Sequence, residues 1–199
     1  MYFFIKRILD ILITMIGIIL FFPAIIAVSL IILISSGYPV FFLQERVGKD
    51  WKIFKIIKFR TMVKNAEKMG IGISSHEDSR VTGIGKFLRK FKIDELPQFF
   101  NVLLGDMSLV GPRPELLKYA EYYMEDYSEI LKIKPGITDY ASLEFRNESK
   151  LLKDSDNNEK IYLNKILPDK IQLYKRYLKE ANLITDIKII FSTFKVLIR

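Results

Sequence analysis

A stretch of 34 residues without one charged side chain, from Ile11 to Gln44, constrains the fold more than any other feature of this chain. Apolar residues are densest from Ile11 to Ile34. A helix over that part would extend for roughly 36 Å, whereas the hydrocarbon core of a bilayer is about 30 Å thick. A cleavable signal peptide fits poorly, because the apolar run is long and no small-residue cleavage site interrupts it. The segment is therefore predicted to be a membrane element.

Pro23 lies in the middle of this segment and predicts a kink or a break, because proline lacks the amide donor and collides with the carbonyl one turn earlier. The halves on either side, 11–22 and 24–34, would each extend only about 17 Å, too little to cross a bilayer. Positive residues favour the cytoplasmic side of a membrane, and they flank the segment at both ends. Two arrangements follow: a re-entrant helix-break-helix with both ends on that side, or a kinked single span oriented by the larger C-terminal basic cluster. The basic flanks are Lys6 and Arg7 before the segment, and Arg46, Lys49, Lys52, Lys55, Lys58 and Arg60 after it.

The net charge of +8 favours an anionic partner, whether nucleic acid, an acidic membrane surface or a phosphorylated substrate. Basic and aromatic residues interleave from Trp51 to Met62, which predicts a half-buried strand or an interfacial segment. No recognition helix follows and the membrane element comes before it, so we expect no nucleic-acid partner. The chain lacks cysteine, which excludes a disulfide framework. We expect the single histidine, His76, to be a solvated loop residue.

Two adjacent carboxylates, Asp94 and Glu95, begin the most informative segment, Lys92 to Pro114. Taken alone, such a pair is explained by helix capping and by the preference for negative charge in a first helical turn. The same segment also contains a third carboxylate, Asp106, and a stiff Gly-Pro-Arg-Pro turn that presents Arg113. Carboxylates beside a guanidinium would suit the binding of phosphate and of a hard cation.

This segment closely resembles the signature of the bacterial sugar transferases, which are monotopic polyprenyl-phosphate phosphoglycosyl transferases. The resemblance covers essentially the whole chain and is carried by several motifs. They are Asp-Glu-Leu-Pro-Gln at 94–98, Asn-Val at 101–102, Gly-Asp-Met-Ser at 105–108 and Gly-Pro-Arg-Pro at 111–114, with further family-like runs at 44–48, 58–62 and 134–138.

The resemblance implies a mostly α-helical fold with a few short β-strands. It implies a re-entrant membrane helix-break-helix over residues 1–39 and a small α/β catalytic domain with interfacial amphipathic helices over residues 40–199, the two forming one structural unit. It places the protein on the cytoplasmic face of the bacterial inner membrane. Members of the family turn back at a central Ser-Pro, but here the pair is Phe22-Pro23, so the hydroxyl that would satisfy a freed backbone group is missing.

The resemblance also implies a reaction: transfer of a sugar-1-phosphate from a UDP-sugar to a polyprenyl phosphate such as undecaprenyl phosphate. The products would be a polyprenyl-diphosphate sugar and UMP, in the first membrane step of surface-glycan assembly. Asp94 is expected to attack the sugar-bearing phosphate and form a covalent intermediate, and Glu95, with Asp94, to hold Mg²⁺ or to assist proton transfer. Six basic residues are expected to bind phosphate oxygens: Arg113, Arg89, Arg80, Lys58, Arg60 and Arg146. The alternatives are direct transfer in a ternary complex and a non-catalytic scaffold that binds polyprenyl phosphate or acidic lipid.

One segment departs from the family pattern. Residues 139–147 read Asp-Tyr-Ala-Ser-Leu-Glu-Phe-Arg-Asn, where many members have Gly-Trp-Ala-Gln-Val-Asn-Gly-Arg-Asn. Arg146 is kept, but its neighbours differ, so we expect the donor sugar or its nucleotide to be gripped differently. The sequence names neither the sugar, nor the polyprenol length, nor the oligomeric state.

Apolar spacing predicts three further helices. Apolar residues recur at i, i+3, i+4 and i+7 over residues 84–91, which predicts an amphipathic helix leading into the central segment. A last helix, from about Thr185 to Ile198, carries an apolar stripe that is expected to face the core or the membrane interface. Glu115 to Lys132 is predicted to be one helix whose tyrosines pack on the core rather than stack on bases.

Overall fold

A computed structural model describes residues 1–69, 78–148, 152 and 157–198, and His76 lies outside these ranges. A π-helical turn, Tyr162–Ile166, joins the helix Asn158–Ile161 to the helix Leu167–Glu180. The described part is mostly helical with short strands, as predicted. In chain order the elements are α1 (Tyr2–Ser36), β1 (Phe41–Val47), β2 (Ile53–Phe59), α2 (Gly83–Lys90), α3 (Gln98–Leu104), β3 (Ser108–Val110), α4 (Leu117–Tyr122), α5 (Met124–Ile130), β4 (Gly136–Thr138), α6 (Tyr140–Glu144), α7 (Asn158–Ile161), α8 (Leu167–Glu180) and α9 (Leu183–Ile198).

Helix α1 is 35 residues long and, within the described ranges, is the helix long and apolar enough to cross a membrane. Helical structure continues through Pro23, so the break predicted there is wrong and the segment is not divided into two separate helices. Proline removes one donor and one intrahelical hydrogen bond, while the turns before and after it keep theirs. The long apolar element predicted from the uncharged stretch is therefore confirmed.

One face of α1 packs on the rest of the protein along its length. The side chains buried on that face are Lys6, Asp10, Thr14, Ile25 and Ile32, spaced as one helical stripe. The other faces carry large apolar side chains that are exposed, including Ile19 (73 %) and Ile34 (85 %). Exposed apolar surface on this scale is typical of a helix that meets lipid or another protein.

Both ends of α1 contact the same domain. Near its start, Lys6 donates to Asp186 of α9 at 2.9 Å. Near its end, Arg60, which follows β2, donates to the carbonyl oxygens of Ser36 (2.7 Å) and Gly37 (2.6 Å). The remainder of the chain thus holds α1 from one side.

Two pairs of strands position the segments around the carboxylates. Strands β1 and β2 form an antiparallel hairpin, registered from Phe41 opposite Phe59 to Val47 opposite Ile53. Strand β2 confirms the half-buried strand expected over Trp51–Met62, and its pairing with β1 was not predicted. Strands β3 and β4 pair in parallel. Gly136 is required at this second pair, because a Cβ atom there would lie 2.1 Å from the backbone nitrogen of Gly111. This close approach fixes the start of the Gly-Pro-Arg-Pro turn.

The other helix predictions have mixed outcomes. Helix α2 confirms the amphipathic helix at 84–91, and α9 confirms the last helix, although α9 begins earlier, at Leu183. The single helix predicted for Glu115–Lys132 is wrong, because α4 and α5 are separated at Tyr123. The backbone of Tyr123 is non-helical (φ −118°, ψ 47°), and its hydroxyl donates to the carbonyl of Leu163, 2.9 Å away. A tertiary hydrogen bond holds Tyr123 at this interruption.

Candidate active site

Asp94 and Glu95 lie in a short 3₁₀ turn, Ile93–Glu95, that directly precedes α3. Lys92 begins the turn in the left-handed region, at φ 57°. Helix α3 starts at Gln98, and no side chain makes a capping hydrogen bond at its N-terminus. Capping therefore does not account for the two carboxylates, and the helix start predicted at Asp94 is wrong by one turn.

The two neighbouring carboxylates have opposite environments, and Glu95 is the neutralised one. Arg113 Nη2 lies 2.5 Å from Glu95 Oε1, and Arg113 Nη1 lies 3.2 Å from Oε2, so the guanidinium binds both oxygens. Lys58 Nζ adds a third contact, 3.2 Å from Oε1. Burial by itself would raise the pKa of Glu95, but Arg113 and Lys58 hold it well below the ordinary value. The two cations therefore favour the ionised form of Glu95.

Asp94 lacks the neutralising contacts that Glu95 has, and the residue is only 7 % exposed. Its Oδ1 is buried and has no hydrogen-bond partner. Burial, together with the charge of Glu95, raises the pKa of Asp94, while the charges of Lys58, Lys92 and Arg89 act in the opposite direction. A buried carboxylate oxygen without a partner costs free energy unless a ligand satisfies it. Asp94 is therefore the reactive candidate of the pair.

The cations nearest the pair are Lys58 and Arg113. Burial lowers the pKa of Lys58 to about 8, although the charge of Glu95 opposes this shift. The charge of Glu95 raises the pKa of Arg113 above its usual value. Lys58 comes from β2 and Arg113 from the turn after β3, so tertiary structure brings together residues that are far apart in sequence. The structure places both beside the carboxylates, and the phosphate binding expected of them stays a prediction.

Arg89 also faces the pair, since its charge lowers the pKa of Asp94. Its Nε donates to Thr61 Oγ1 at 2.8 Å, which fixes the guanidinium beside the end of the β-hairpin. Arg80 lines the same cavity but is bound to Asp78 by two nitrogens, at 2.6 and 2.9 Å. Arg80 also donates to the carbonyl oxygen of Ala66, 3.2 Å away.

Arg60 and Arg146 are not in contact with the carboxylates, although both line the cavity. Arg60 binds the carbonyl groups at the end of α1. Arg146 donates from Nη1 to the carbonyl oxygen of Val196 in α9. The sequence predicted six phosphate-binding cations in one set, whereas the fold divides them between the carboxylate pair and more distant parts of the cavity.

Asp106 does not join the carboxylate pair. It lines a separate small pocket of about 220 Å³ with Lys49, Lys52 and Lys134. Across the described ranges, no group of three or more His, Cys, Asp or Glu side chains is arranged to hold a metal ion. The suggestion that Asp106 acts with Asp94 and Glu95 is therefore wrong, because the turn at Gly105 directs the chain away from them.

The main cavity has a volume of about 1920 Å³ and runs from α1 to α8. Ala24 and Val28 of α1 form part of its wall, Asp94 and Glu95 another part, and Lys170 of α8 a third. Lys and Arg side chains far outnumber carboxylates along it. A cavity that joins an apolar helix to a cationic interior is suited to a ligand with an apolar chain and several phosphates.

Asp139 is a functional candidate that the sequence did not identify individually. Its Oδ2 accepts from the backbone nitrogen of Arg113 at 2.8 Å, and its Oδ1 accepts from the nitrogen of Ser142 at 2.5 Å. It thereby ties the Gly-Pro-Arg-Pro turn to the start of α6. The available signal was its place as an N-cap, because Asp directly after a strand and before a short helix is a typical capping residue.

The comparisons with known proteins identify the family of this chain. The model of the bacterial sugar transferase family matches residues 1–199. The chain is 40 % identical over 202 residues, which is 99 % of it and 44 % of the relative, to the UDP-N-acetylgalactosamine-undecaprenyl-phosphate N-acetylgalactosaminephosphotransferase of Aeromonas hydrophila. It is 36 % identical over 192 residues (94 % of it, 39 % of the relative) to the UDP-glucose:undecaprenyl-phosphate glucose-1-phosphate transferase of Escherichia coli strain K12.

A third relative is named for another sugar. The chain is 35 % identical over 179 residues (82 % of it, 34 % of the relative) to the undecaprenyl-phosphate galactose phosphotransferase of Salmonella typhimurium. In each of these three comparisons the chain spans less than half the length of the relative. The match nevertheless extends from α1 through the carboxylate pair to α9. The chain belongs to the bacterial sugar transferase family.

Proposed function

We propose that this chain transfers a sugar-1-phosphate from a UDP-sugar to a polyprenyl phosphate, giving a polyprenyl-diphosphate sugar and UMP. The observation that carries the proposal is the contrast within the pair: Asp94 has a buried oxygen without a partner, next to Glu95, which Arg113 and Lys58 neutralise. The relatives are named for this class of reaction, with undecaprenyl phosphate as acceptor. The product would enter the assembly of a surface glycan.

In the proposed mechanism, a carboxylate oxygen of Asp94 attacks the sugar-bearing phosphorus of the donor. A bond forms between that oxygen and phosphorus, and the bond from phosphorus to the bridging oxygen breaks, so that UMP leaves with the electron pair. An oxygen of the polyprenyl phosphate then attacks the same phosphorus and releases the Asp94 carboxylate. Both steps gather negative charge, which Lys58 and Arg113 are positioned to stabilise.

The chemistry of the carboxylate pair suits Mg²⁺, which prefers hard oxygen ligands and often uses only one or two protein carboxylates. The partnerless Oδ1 of Asp94 fits this role, whereas both oxygens of Glu95 already face cations. Asp94 would therefore hold the ion, whereas Glu95, expected from the sequence as a second ligand, is occupied by Arg113 and Lys58. When bound, it would neutralise charge on the donor.

We further propose that α1 is re-entrant, with both ends on the cytoplasmic face of the bacterial inner membrane. The contacts of Lys6 with Asp186 and of Ser36 with Arg60 support this arrangement, because a span would separate the two ends of α1 by a bilayer. The exposed apolar side chains of α2 and α9, among them Phe87 and Phe191, would then lie at the membrane interface. Labelling of an N-terminal tag from outside intact cells would contradict the proposal.

The covalent course is tested with Asp94→Asn. The wild-type protein, incubated with a UDP-sugar labelled in the sugar-bearing phosphate and no acceptor, should retain label on the protein, and Asp94→Asn should retain none. Parallel double-reciprocal lines are expected for a two-step course, and intersecting lines would favour direct transfer in a ternary complex. Lipid binding without UMP release from any UDP-sugar would favour the non-catalytic scaffold.

The sugar is to be determined by a panel of UDP-sugars, with UMP release as the measurement. Three relatives are named for three different sugars, so similarity to them does not select one. The departure at 139–147 makes the panel necessary, because six of these nine residues line the same cavity as Arg113.

A further inference from the structure

One guanidinium in the cavity is buried without a counter-ion. Arg60 is 6 % exposed and lines the main cavity. Its Nη2 donates to the carbonyl oxygens of Ser36 and Gly37. Its Nε and Nη1 are buried and have no hydrogen-bond partner within the described part of the chain.

Two other arginines of the cavity, Arg46 and Arg113, are paired with carboxylates, whereas, within the described ranges, Arg60 is not. Arg46 pairs with Glu115 at 3.2 Å, and Arg113 pairs with Glu95. Arg60 forms no ion pair with a carboxylate of the described residues. A buried cation without a counter-charge costs several kcal/mol, and each unsatisfied buried donor adds to that cost. An anionic acceptor would remove both penalties, so the site is incomplete without one.

The surroundings of Arg60 indicate which kind of anion would bind there. Arg60 lies where α1 ends, and the neighbouring cavity wall is formed by apolar residues of α1 and of the β-hairpin, among them Ala24, Val28, Phe41 and Phe42. A free nucleotide would gain little from such a wall. A phosphate on a long apolar chain would place its charge at Arg60 and its chain along these residues.

Arg60 also connects to the reacting centre through its neighbour in sequence. Thr61 accepts a hydrogen bond from Arg89, and the charge of Arg89 acts on Asp94. Arg113 and Lys58 are already bound to Glu95 on their own part of the cavity. The cations are thus divided into two groups, so different cations can bind the two phosphate-bearing substrates.

We propose that the unpaired nitrogens of Arg60 bind the phosphate of the lipid acceptor, leaving Arg113 and Lys58 for the nucleotide-sugar donor. This assignment rests on the proposed function for the identity of the acceptor. The chemistry recognised is a phosphate at the membrane surface, which both polyprenyl phosphate and a phospholipid headgroup carry. We assign the site to polyprenyl phosphate.

The test is a binding measurement on the full chain in vesicles of neutral phosphatidylcholine, with the Asp94→Asn substitution present so that no turnover occurs. Labelled polyprenyl phosphate is the probe, and polyprenol, which lacks the phosphate, is the competitor. Arg60→Gln should reduce the preference for the phosphate over the alcohol by about tenfold or more. Lys86→Gln, which removes an exposed cation from the same cavity wall, should leave that preference within about twofold.

The comparison with polyprenol separates recognition from a purely structural role. If Arg60 only held the end of α1, Arg60→Gln would weaken the binding of both lipids alike and leave the preference unchanged, which would overturn the proposal. Equal displacement of the probe by phosphatidylglycerol from the Arg60-containing protein would also overturn it, because the site would then be a general headgroup site.

The binding result does not depend on catalysis. If no UDP-sugar gives UMP but the phosphate preference still requires Arg60, the proposed reaction fails and the lipid-phosphate site stands. If UMP is released but the preference is unchanged in Arg60→Gln, the reaction stands and this assignment fails. An absence of any phosphate preference in the Arg60-containing protein would likewise refute it.

Discussion

Arg113 binds both carboxylate oxygens of Glu95, at 2.5 and 3.2 Å, while the adjacent Asp94 keeps one buried oxygen without a partner. The two carboxylates are neighbours in sequence, so only their three-dimensional surroundings distinguish them. The two contacts fix the orientation of the guanidinium relative to Glu95. Asp94 is left as the group whose interactions a substrate must complete.

The two contacts of Arg113 with Glu95 predict that lysine cannot replace arginine at this position without loss of activity. Arg113→Lys keeps the charge but cannot contact both Glu95 oxygens at once, so we expect kcat/KM for the UDP-sugar to fall by about tenfold or more. Arg113→Gln, which also loses the charge, should fall further. Arg176→Gln, at an exposed position on α8, is the control and should remain within about twofold. Full activity of Arg113→Lys would contradict the role assigned to the paired contact.

The buried contact between Lys6 and Asp186 predicts a large effect on stability. Tyr2 and Tyr177 also donate to Asp186, at 2.9 and 2.7 Å, so this carboxylate joins α1, α8 and α9. Lys6→Met leaves the charge of Asp186 buried without its cation and should cost about 3 kcal/mol in the free energy of unfolding. The double variant Lys6→Met with Asp186→Leu should recover part of that loss. A thermal unfolding series in lipid vesicles measures both, and an unchanged Tm for Lys6→Met would refute the prediction.

Two glycines of α2 provide a matched pair. A Cβ atom at Gly85 would lie 2.0 Å from the carbonyl oxygen of Thr61, whereas at Gly83 it would meet nothing within 4 Å. Gly85→Ala must therefore push α2 away from the end of the hairpin, and we expect a loss of about 2–3 kcal/mol in stability. Gly83→Ala should be neutral or stabilising by up to about 1 kcal/mol, because alanine favours the helix.

The same pair tests whether α2 matters for the reaction. Arg89, which acts on Asp94, is carried on α2, so Gly85→Ala should also lower the rate of UMP release at temperatures where the variant is folded. If Gly85→Ala matches Gly83→Ala in both Tm and rate, the close packing of α2 against Thr61 has no such importance.

Asp139 predicts a pH dependence of stability. Burial raises its pKa above the ordinary 3.8, although hydrogen bonds from Ser142 and from the Arg113 nitrogen oppose that shift. Between the two pKa values the folded protein binds a proton that the unfolded chain has released, so this residue's contribution to stability falls as pH rises through that window. The asparagine of Asp139→Asn does not titrate, so this pH-dependent contribution to stability is absent in the variant. The variant should therefore gain in Tm relative to the wild type as the pH rises above about 4. A difference in Tm that is constant with pH would contradict this prediction.

Local sequence was sufficient for the elements whose pattern lies within a few residues. The uncharged stretch from Ile11 predicted the long apolar helix, the alternation over 51–62 predicted β2, and the spacing over 84–91 predicted α2. The boundary at Tyr123 was missed, because the hydrogen bond to Leu163 that accompanies it joins residues 40 positions apart. Propensity within a window contains no information about such a partner.

For the site, the sequence by itself determined which side chains are present. They are two adjacent carboxylates, a rigid turn with Arg113, and an excess of cations that follow the apolar helix in the sequence. Only the tertiary structure decided which of them work together. It paired Glu95 with Arg113 and Lys58, left Asp94 unpaired, removed Asp106 to another pocket and placed Arg60 at the end of α1. The physical reason is that charge interactions and hydrogen bonds depend on distance and burial, and these are set by how the helices and strands pack, not by the order of residues along the chain.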